Sequence, residues 1–285
     1  MTLETVMHTF ETPAPIRLRV EIPKGRVRVV AEETAQTRVE LIALNGDATA
    51  RQWIAEAVVE QRGDEVVVLV RQPGFLLFGL GGAIEAIVHL PTASSATLST
   101  GSGHIDTTGR LGGVRANTGS GAIRLAQTAE AHARTGSGDI TVESATGSVD
   151  AKTGSGNVTV GTVGANACIV TGSGHGSVDS YVGSAKLNTG SGNLEVGQAG
   201  DSLEAFSASG SVQVKRADHG RVRAKTISGR IDVGVAQGVA AWLDITTMSG
   251  RVNSSLEQGG PPAEGEKSVQ LVIDTLSGNI NVARA

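Results

Sequence analysis

Apolar side chains alternate with polar ones in short runs on either side of a recurring Ser-Gly pair. In one copy, Val149 and Ala151 precede the pair. Val158 and Val160 follow it, and the positions between are mostly polar. A period of two predicts a strand with one buried face, and glycine at the corner reaches a positive φ without steric cost. Each copy is therefore predicted to be two short strands joined at a Thr-Gly-Ser-Gly corner.

The Ser-Gly pair occurs ten times at a nearly constant period. The ten copies begin at Ser102, Ser120, Ser137, Ser155, Ser173, Ser191, Ser209, Ser228, Ser249 and Ser277. The first eight copies lie 17 to 19 residues apart, and the last two spacings are 21 and 28. Such regularity indicates stacked supersecondary units. The widest spacing contains a Gly/Pro/Glu-rich segment, 258–267, which is predicted to be an inserted loop.

One such unit cannot bury its apolar face alone, so it must stack on equivalent units. In that arrangement each strand bonds in parallel to its equivalent in the next turn, ~4.8 Å away. The pattern predicts an all-β protein, a parallel β-solenoid (β-helix) of about ten regular rungs. The handedness rule for parallel crossovers predicts a right-handed coil.

Stacking places equivalent residues in columns. The column before the corner holds threonine in nine copies and Ser207 in the other. Its threonines are Thr100, Thr118, Thr135, Thr153, Thr171, Thr189, Thr226, Thr247 and Thr275. We expect this structural corner ladder to face inward or toward the corner, with its hydroxyls bonded to one another along the axis.

Two departures from the repeat predict local changes. The residue between the threonine and the serine is glycine in the first six copies, then Ala208, Ile227, Met248 and Leu276. Larger apolar side chains there predict a wider cross-section or an extra packing layer. Gly176 replaces the usual branched residue in the fifth copy and predicts a bulge or a thinning.

The N-terminal third is related to the repeats but irregular. Residues 18–29 alternate in the same way, with Pro23-Lys24 in place of the Gly-Ser of the corner, which predicts a divergent first rung. Since the terminal repeats of a solenoid need an atypical cap, we predict a cap region at 1–92 and regular solenoid repeats at 93–285.

Within the cap, residues 38–44 and 65–70 are predicted to be further strands. The segment 47–57 is predicted to be a short helix, with Asp47 as its N-cap.

These features resemble a known family. Residues 18–29 read Leu-Arg-Val-Glu-Ile-Pro-Lys-Gly-Arg-Val-Arg-Val, and Thr-Gly-Ser-Gly-x-[Ile/Val]-x-[Val/Leu] recurs after them. Together they resemble the bacterial putative-adhesin family, β-solenoid domains largely of unknown function. The resemblance covers nearly the whole chain. It implies the solenoid fold and a binding role, and similar domains occur in proteins of envelope-stress sensing.

Composition excludes several classes of function. The chain has 39 glycines and seven aromatic residues (two Trp, one Tyr, four Phe), so its core must be built from small aliphatic side chains. That disfavours a wide ligand-lined pocket. With 39% apolar residues, 18% charged residues and a net charge of −4, the sequence argues against bulk disorder and against nucleic acid as a partner.

No metal or cofactor site is predicted. Calcium-binding solenoids need aspartate at one position of successive turns, but the column after the corner has Asp139 as its one acid. His104 and His175 in that column are separated by several rungs and are predicted to be exposed polar side chains.

No catalytic site is predicted either. Polysaccharide-cleaving β-helices need paired carboxylates, whereas Asp106, Glu195 and Asp232 of the next exposed column are several rungs apart. The single cysteine, Cys168, is predicted to be a bland surface thiol. The chain is therefore predicted to be non-enzymatic.

Residues 1–11 lack the pattern of a signal peptide, and no apolar run approaches the ~20 residues that span a bilayer. We expect a cytoplasmic protein, with surface exposure only by an unmarked route.

One apolar segment is not explained by the repeat. Residues 73–82 concentrate Phe75, Leu76, Leu77, Phe78 and Leu80 between turn-forming residues. This candidate interaction loop either folds over the solenoid end as part of the cap or contacts a second copy, a partner protein or a lipid interface.

The C-terminal repeat shows no cap, which predicts an open strand edge there. We therefore expect a scaffold or interaction protein that acts by protein–protein association or self-assembly and is linked by the resemblance to the cell envelope. An adhesin-like glycan-binding protein is the alternative, and a polysaccharide hydrolase or lyase comes third. Glycan binding is disfavoured by the shortage of aromatic rings, since Tyr181 is the single ring of the regular rungs before Phe206. Peripheral membrane contact is left open.

Overall fold

The structure is a computed structural model that describes residues 5–71, 82–257 and 267–285. The chain divides into two compact units, Met1–Ser144 and Ala145–Ala285. The boundary predicted near residue 92 separates a cap from regular coils inside the first unit, and it stays a prediction. Both units are built almost entirely of strands.

The strands of the first unit are β1 (Thr5–Glu11), β2 (Arg17–Glu32), β3 (Gln36–Ala43), β4 (Val58–Arg62), β5 (Glu65–Leu69), β6 (Ile84–Pro91), β7 (Ser95–Thr108), β8 (Arg110–Ser120), β9 (Ile123–Ser137) and β10 (Ile140–Ala145), the last of which ends one residue past the boundary. A 3-10 turn, Leu44–Gly46, and one helix, α1 (Ala48–Ala55), follow β3.

The N-terminal strand β2 lies in the register of the repeats. β2 pairs in parallel with β7, residue for residue, so that Lys24 lies opposite Ser102 and Gly25 opposite Gly103. Pro23-Lys24 therefore occupies the place of Gly101-Ser102 in the corner. β7 pairs in parallel with β8, and β8 with β9.

The cap differs from the coils in strand direction. β3 pairs antiparallel with both β1 and β6, and β4 pairs antiparallel with β5. The short helix is confirmed as α1, which buries Ala50, Trp53 and Ile54. Asp47 caps it, since its Oδ1 accepts a hydrogen bond from the Thr49 N–H at 2.8 Å.

The strands of the second unit are β11 (Val149–Ser155), β12 (Val158–Val163), β13 (Ala167–Ser173), β14 (Gly176–Tyr181), β15 (Ser184–Ser191), β16 (Leu194–Ala199), β17 (Ser202–Ser209), β18 (Val212–Ala217), β19 (Gly220–Ser228), β20 (Ile231–Val235), β21 (Ala240–Ser249), β22 (Val252–Ser254), β23 (Ser268–Ser277) and β24 (Ile280–Arg284).

These strands form two parallel ladders, one on each side of the corner. The first is β11–β13–β15–β17–β19–β23–β21. The second is β12–β14–β16–β18–β20–β24–β22. The prediction of a parallel β-solenoid is confirmed. Alternate side chains of each strand point inward, and Ile169 and Leu187 of successive rungs are fully buried.

The corners require glycine at their last position. Gly192 has a φ of +150°, and a Cβ built on it would lie 2.0 Å from the carbonyl oxygen of Gly174 in the neighbouring rung. No other residue fits both that backbone angle and that close approach.

The threonine column lies inside the corners, but its hydrogen bonds differ from the expected ones. Thr189 Oγ1 donates to the backbone carbonyl of Gly174 at 3.1 Å and not to another hydroxyl of the column. The same bond to the neighbouring rung's glycine is made by Thr118, Thr135, Thr171, Ser207, Thr226 and Thr247. The expectation was wrong because these hydroxyls lie within hydrogen-bond distance of the glycine carbonyl of the neighbouring rung.

Of the two alternatives predicted at Gly176, a bulge or a thinning, the bulge is absent from this described strand. Gly176 keeps the regular register between Val158 and Leu194. A Cβ on Gly176 would lie 3.0 Å from Leu194 Cδ2 and 3.2 Å from Ile169 Cγ2, so these two neighbours fill the space that a branched side chain would take.

Candidate interaction site

The order of the rungs in space differs from their order in sequence. β23 pairs with β19 on one side and with β21 on the other. A side-chain ladder follows the same order, because Asn253 donates to Asn281 Oδ1 at 3.1 Å and Asn281 donates to Asp232 Oδ1 at 2.6 Å. The open edge expected at the C-terminal repeat was therefore wrongly placed. Among the described strands, β21 pairs with β23 alone and β22 with β24 alone.

Chain length permits this order. Residues 236–239 join β20 to β21, and these four residues can extend over about 13 Å. Skipping one rung requires a rise of two strand spacings, about 10 Å. The Arg284 guanidinium fixes this connection by donating to the carbonyl oxygens of Ala236 at 3.0 Å and Val239 at 2.8 Å. The return to β23 uses the longer connection, residues 255–267.

None of the described strands covers the inner face of β21 and β22 on the side away from β23 and β24. Leu243 lies opposite Leu271, and Val252 opposite Ile280. Leu271 and Ile280 are 0% exposed, whereas Leu243 is 36% and Val252 45% exposed. The apolar core of the second unit is thus open at this edge.

A line of exposed apolar side chains leads to this edge along the corner. Ile227, Leu276 and Met248 stack because the residues that flank them pair in register. All three are exposed, Met248 by 78%. The extra packing layer predicted from these residues was wrong, since their side chains point away from the core.

An exposed aromatic ring completes the surface. Trp242 on β21 lies opposite Gln270 and is 72% exposed. Tyr181, the ring singled out from the sequence, is instead buried, and desolvation raises the pKa of its phenol.

The edge carries little charge. Residues 240–254 contain one acid, Asp244, and one base, Arg251. In contrast, the edge strand β4 of the first unit exposes the ion pair Glu60–Arg62. Charged side chains commonly prevent an edge strand from pairing with a strand of another chain. The β21 edge has few such charges.

The backbone of β21 also has bonding positions that no described strand occupies. The Ala240 N–H donates to the Lys267 carbonyl at 3.2 Å, so residue 240 directs its backbone groups toward β23. Because these groups alternate in direction along a strand, Leu243 and Ile245 direct theirs toward the open side. We define residues 240–254, with the apolar side chains of Ile227 and Leu276, as the open edge.

The candidate interaction loop, with Phe75, Leu76, Leu77, Phe78 and Leu80, lies outside the described residues, as do residues 258–266 of the predicted inserted loop. Sequence reasoning missed Trp242, Leu243 and Val252 because it took the order of the repeats as the order of the rungs. The two enlarged spacings, 21 and 28, were the available signal.

The exposed column after the corner connects neighbouring rungs. His104 Nδ1 accepts from the Ala122 N–H at 3.1 Å, and His175 Nδ1 accepts from the Asn193 N–H at 3.0 Å. Asn157, Asn193 and Asn279 use their side-chain oxygens in the same way. The two histidines are exposed, as predicted, and also serve as structural acceptors.

The three candidate acids for catalysis, Asp106, Glu195 and Asp232, each interact with a neighbouring side chain. Asp106 contacts Arg124 at 3.5 Å, and Glu195 contacts Lys215. Within residues 5–71, 82–257 and 267–285, no group of three or more His, Cys, Asp or Glu side chains is arranged to hold a metal ion. Cys168 is half-buried, and burial raises the pKa of its thiol, which makes the thiolate scarcer at neutral pH.

None of the described helices has the length and hydrophobicity needed to cross a membrane.

Comparison with known proteins assigns the family. The model of the Toastrack DUF4097 family matches residues 85–283. The chain belongs to this family. No curated protein matches it.

Solved structures that this chain is similar to are distant from it in sequence. A putative adhesin from Parabacteroides merdae is 10% identical, with a TM-score of 0.53 over 98% of this chain and 96% of that one. A putative adhesin from Bacteroides fragilis is 9% identical, with a TM-score of 0.40 over 98% and 97%. A putative lipid binding protein from Parabacteroides distasonis is 10% identical, with a TM-score of 0.34 over 99% and 96%. At such identity the first of these shows the Toastrack chain's fold alone.

Proposed function

We propose that the protein is a non-enzymatic interaction scaffold that binds a protein partner by strand addition to the open edge. The main support is that Leu243 and Val252 are exposed, whereas the side chains opposite them in the neighbouring rung are fully buried. An added strand would cover these side chains and would also bond to the outward backbone groups of β21.

The binding mode follows from the fold. Main-chain hydrogen bonds supply affinity in strand addition, and side chains that alternate between the faces supply specificity. The open edge selects a strand with aliphatic residues at alternate positions and few charges, because its own inner face is apolar and its one acid is Asp244. The adhesin description of the structure from Parabacteroides merdae agrees with a binding role.

A peptide can test this proposal directly. Residues 268–277 form β23, which already pairs in register with β21. A fluorescent peptide of that sequence should bind the full chain, as measured by anisotropy, and a peptide with lysine in place of Leu271 and Ile273 should not.

The matched protein variants are Ile245→Lys at the open edge and Val58→Lys at the edge strand β4. Binding should be lost with Ile245→Lys and kept with Val58→Lys. Equal binding by all three proteins, or no binding to the natural chain at a dilution where it is monomeric, would overturn the proposal.

A second candidate function, glycan binding, is favoured by one observation. Trp242 presents an exposed ring on the outer face of β21, where a sugar could stack. In a glycan-array measurement, Trp242→Phe should then retain binding and Trp242→Ala should lose it. An array without any bound glycan would contradict this candidate.

A further inference from the structure

The open edge has a shape and a chemistry that a second copy of itself can complete. We infer that two copies of the chain associate through β21, antiparallel and about a two-fold axis at Ile245, which makes a closed dimer. This inference rests on the proposed function, since it names the strand that is added.

The first argument is the match of the inner faces. β21 requires a strand with apolar residues at alternate positions, and its own sequence provides them at Ala241, Leu243 and Ile245. A two-fold axis perpendicular to the sheet keeps both inner faces on the same side. The two open cores would then meet and cover each other.

The second argument is the backbone. Leu243 and Ile245 direct their N–H and C=O groups away from β23, as required by the bond from Ala240 to Lys267 and the alternation that follows it. With the axis at Ile245, the two Ile245 residues exchange both backbone hydrogen bonds. Leu243 then lies opposite Thr247 of the second copy, with its backbone groups facing that strand.

Charge decides between neighbouring registers. An axis at Asp244 satisfies the same backbone groups, but it places the two Asp244 carboxylates opposite each other in a close pair, about 4.5 Å between Cα atoms. Like charges directly opposite each other are destabilising. The axis at Ile245 moves Asp244 opposite Thr246 and removes this repulsion.

The same register covers two strongly exposed apolar side chains of β21. Trp242 and Met248 share the outer face of β21 and are 72% and 78% exposed. Trp242 and Met248 lie three residues before and three residues after Ile245. With the two-fold axis at Ile245, each Trp242 therefore lies opposite Met248 of the second copy. Sulfur and an aromatic ring make a favourable pair, and the dimer has two of them.

The alternative of a head-to-tail filament is disfavoured by the edges of the first unit. β4 exposes the Glu60–Arg62 ion pair, and it is antiparallel to its neighbour β5. A strand added there would have to cover both charges. A two-fold contact uses the same surface twice and closes, so the assembly ends at two copies.

Disulfide trapping in the full chain tests the register. In a Cys168→Ser background, the double variant Trp242→Cys/Met248→Cys should form a disulfide-linked dimer under mild oxidation. These positions form a close, non-hydrogen-bonded pair, about 4.5 Å between Cα atoms, within the reach of a disulfide. Either single variant should give no linked dimer. Asp244→Cys alone should give none either, since its two copies lie on a diagonal of about 7–8 Å.

Sedimentation of the natural chain tests the association itself. The mass should rise to that of two chains with concentration and then stay constant. Ile245→Lys should weaken the dimer by about 30-fold or more, as expected for a central interface residue, with an unchanged circular dichroism spectrum. Val58→Lys should have no effect.

The outcomes separate this inference from the proposed function. Efficient linkage through Asp244→Cys, or species that grow beyond two chains, overturns the inference. A monomer that still binds the β23 peptide overturns the inference and leaves the proposed function standing. A monomer that does not bind the peptide overturns both.

Discussion

Two threonines of the corner ladder should respond in opposite directions to the same substitution. Thr226 and Thr275 lie opposite each other on β19 and β23, and both are buried. Thr226 Oγ1 donates to the Gly210 carbonyl at 3.0 Å. Thr275 Oγ1 is buried without a hydrogen-bond partner among the described residues. The two sites therefore differ mainly in that one bond.

Valine replaces the hydroxyl of threonine with a methyl group of the same shape. Thr226→Val removes a buried hydrogen bond and should lower the free energy of unfolding by about 1–2 kcal/mol. Thr275→Val removes a buried hydroxyl that has no partner, so the free energy of unfolding should rise by about 1 kcal/mol. The separation between the two variants is the measured quantity.

Urea unfolding followed by circular dichroism measures both changes. The midpoint should decrease for Thr226→Val and increase for Thr275→Val, with equal slopes for the two variants. The reasoning would be refuted if Thr275→Val destabilised the chain as much as Thr226→Val, because the ladder would then act by packing alone.

Three further predictions concern the corners, the core and the cap. Gly192→Ala should lower the free energy of unfolding by about 3 kcal/mol or more, because its Cβ would lie 2.0 Å from a carbonyl oxygen. The control is Gly113→Ala, whose Cβ would have no atom within 4 Å. Its free energy of unfolding, measured in urea, should stay within about 0.5 kcal/mol of the natural chain's. Gly176→Ala should lower the free energy of unfolding by about 1 kcal/mol, because the new methyl group crowds Leu194. Adding Leu194→Val should recover most of this loss. A double variant no more stable than the single one would contradict this reasoning. Hydrogen bonds from the N–H groups of Gly82 and Thr49 lower the pKa of Asp47 below its ordinary 3.8, so its contribution is present above that value and is lost as the pH falls through the folded-state pKa. Asp47→Ala should therefore destabilise the chain at pH 7 and match the natural chain at strongly acidic pH, and an equal difference at both pH values would argue against this.

The rungs themselves could be predicted from the sequence. A period of two around a corner fixes which side chains point inward, and a constant spacing fixes which residues stack. Pro23-Lys24 shows how far this holds, since it lies in register with Gly101-Ser102 of the β7 corner without sharing these two residues. The helix after Asp47 was predictable from local capping chemistry.

The open edge could not be predicted in the same way. Equivalent repeats tell which residues can stack, but they do not tell which repeat is the neighbour of which. Four residues before Ala240 are long enough either to continue to the next rung or to skip one, and the sequence allows both. The exposure of Trp242 and Leu243 follows from the order of the rungs and is visible only in three dimensions.

The insertion of β23 between β19 and β21 is the claim on which the open edge depends, and disulfide formation tests it most directly. Arg223 lies opposite Val272, and Val272 lies opposite Asp244 on the far side. In a Cys168→Ser background under dilute, monomeric conditions, Arg223→Cys/Val272→Cys should form an internal disulfide, because its Cα atoms are one strand spacing apart, ~4.8 Å. Arg223→Cys/Asp244→Cys should not, because its Cα atoms are two spacings apart. Rungs stacked in the order of the sequence would give the reverse result, with the 223–244 disulfide formed and the 223–272 disulfide absent.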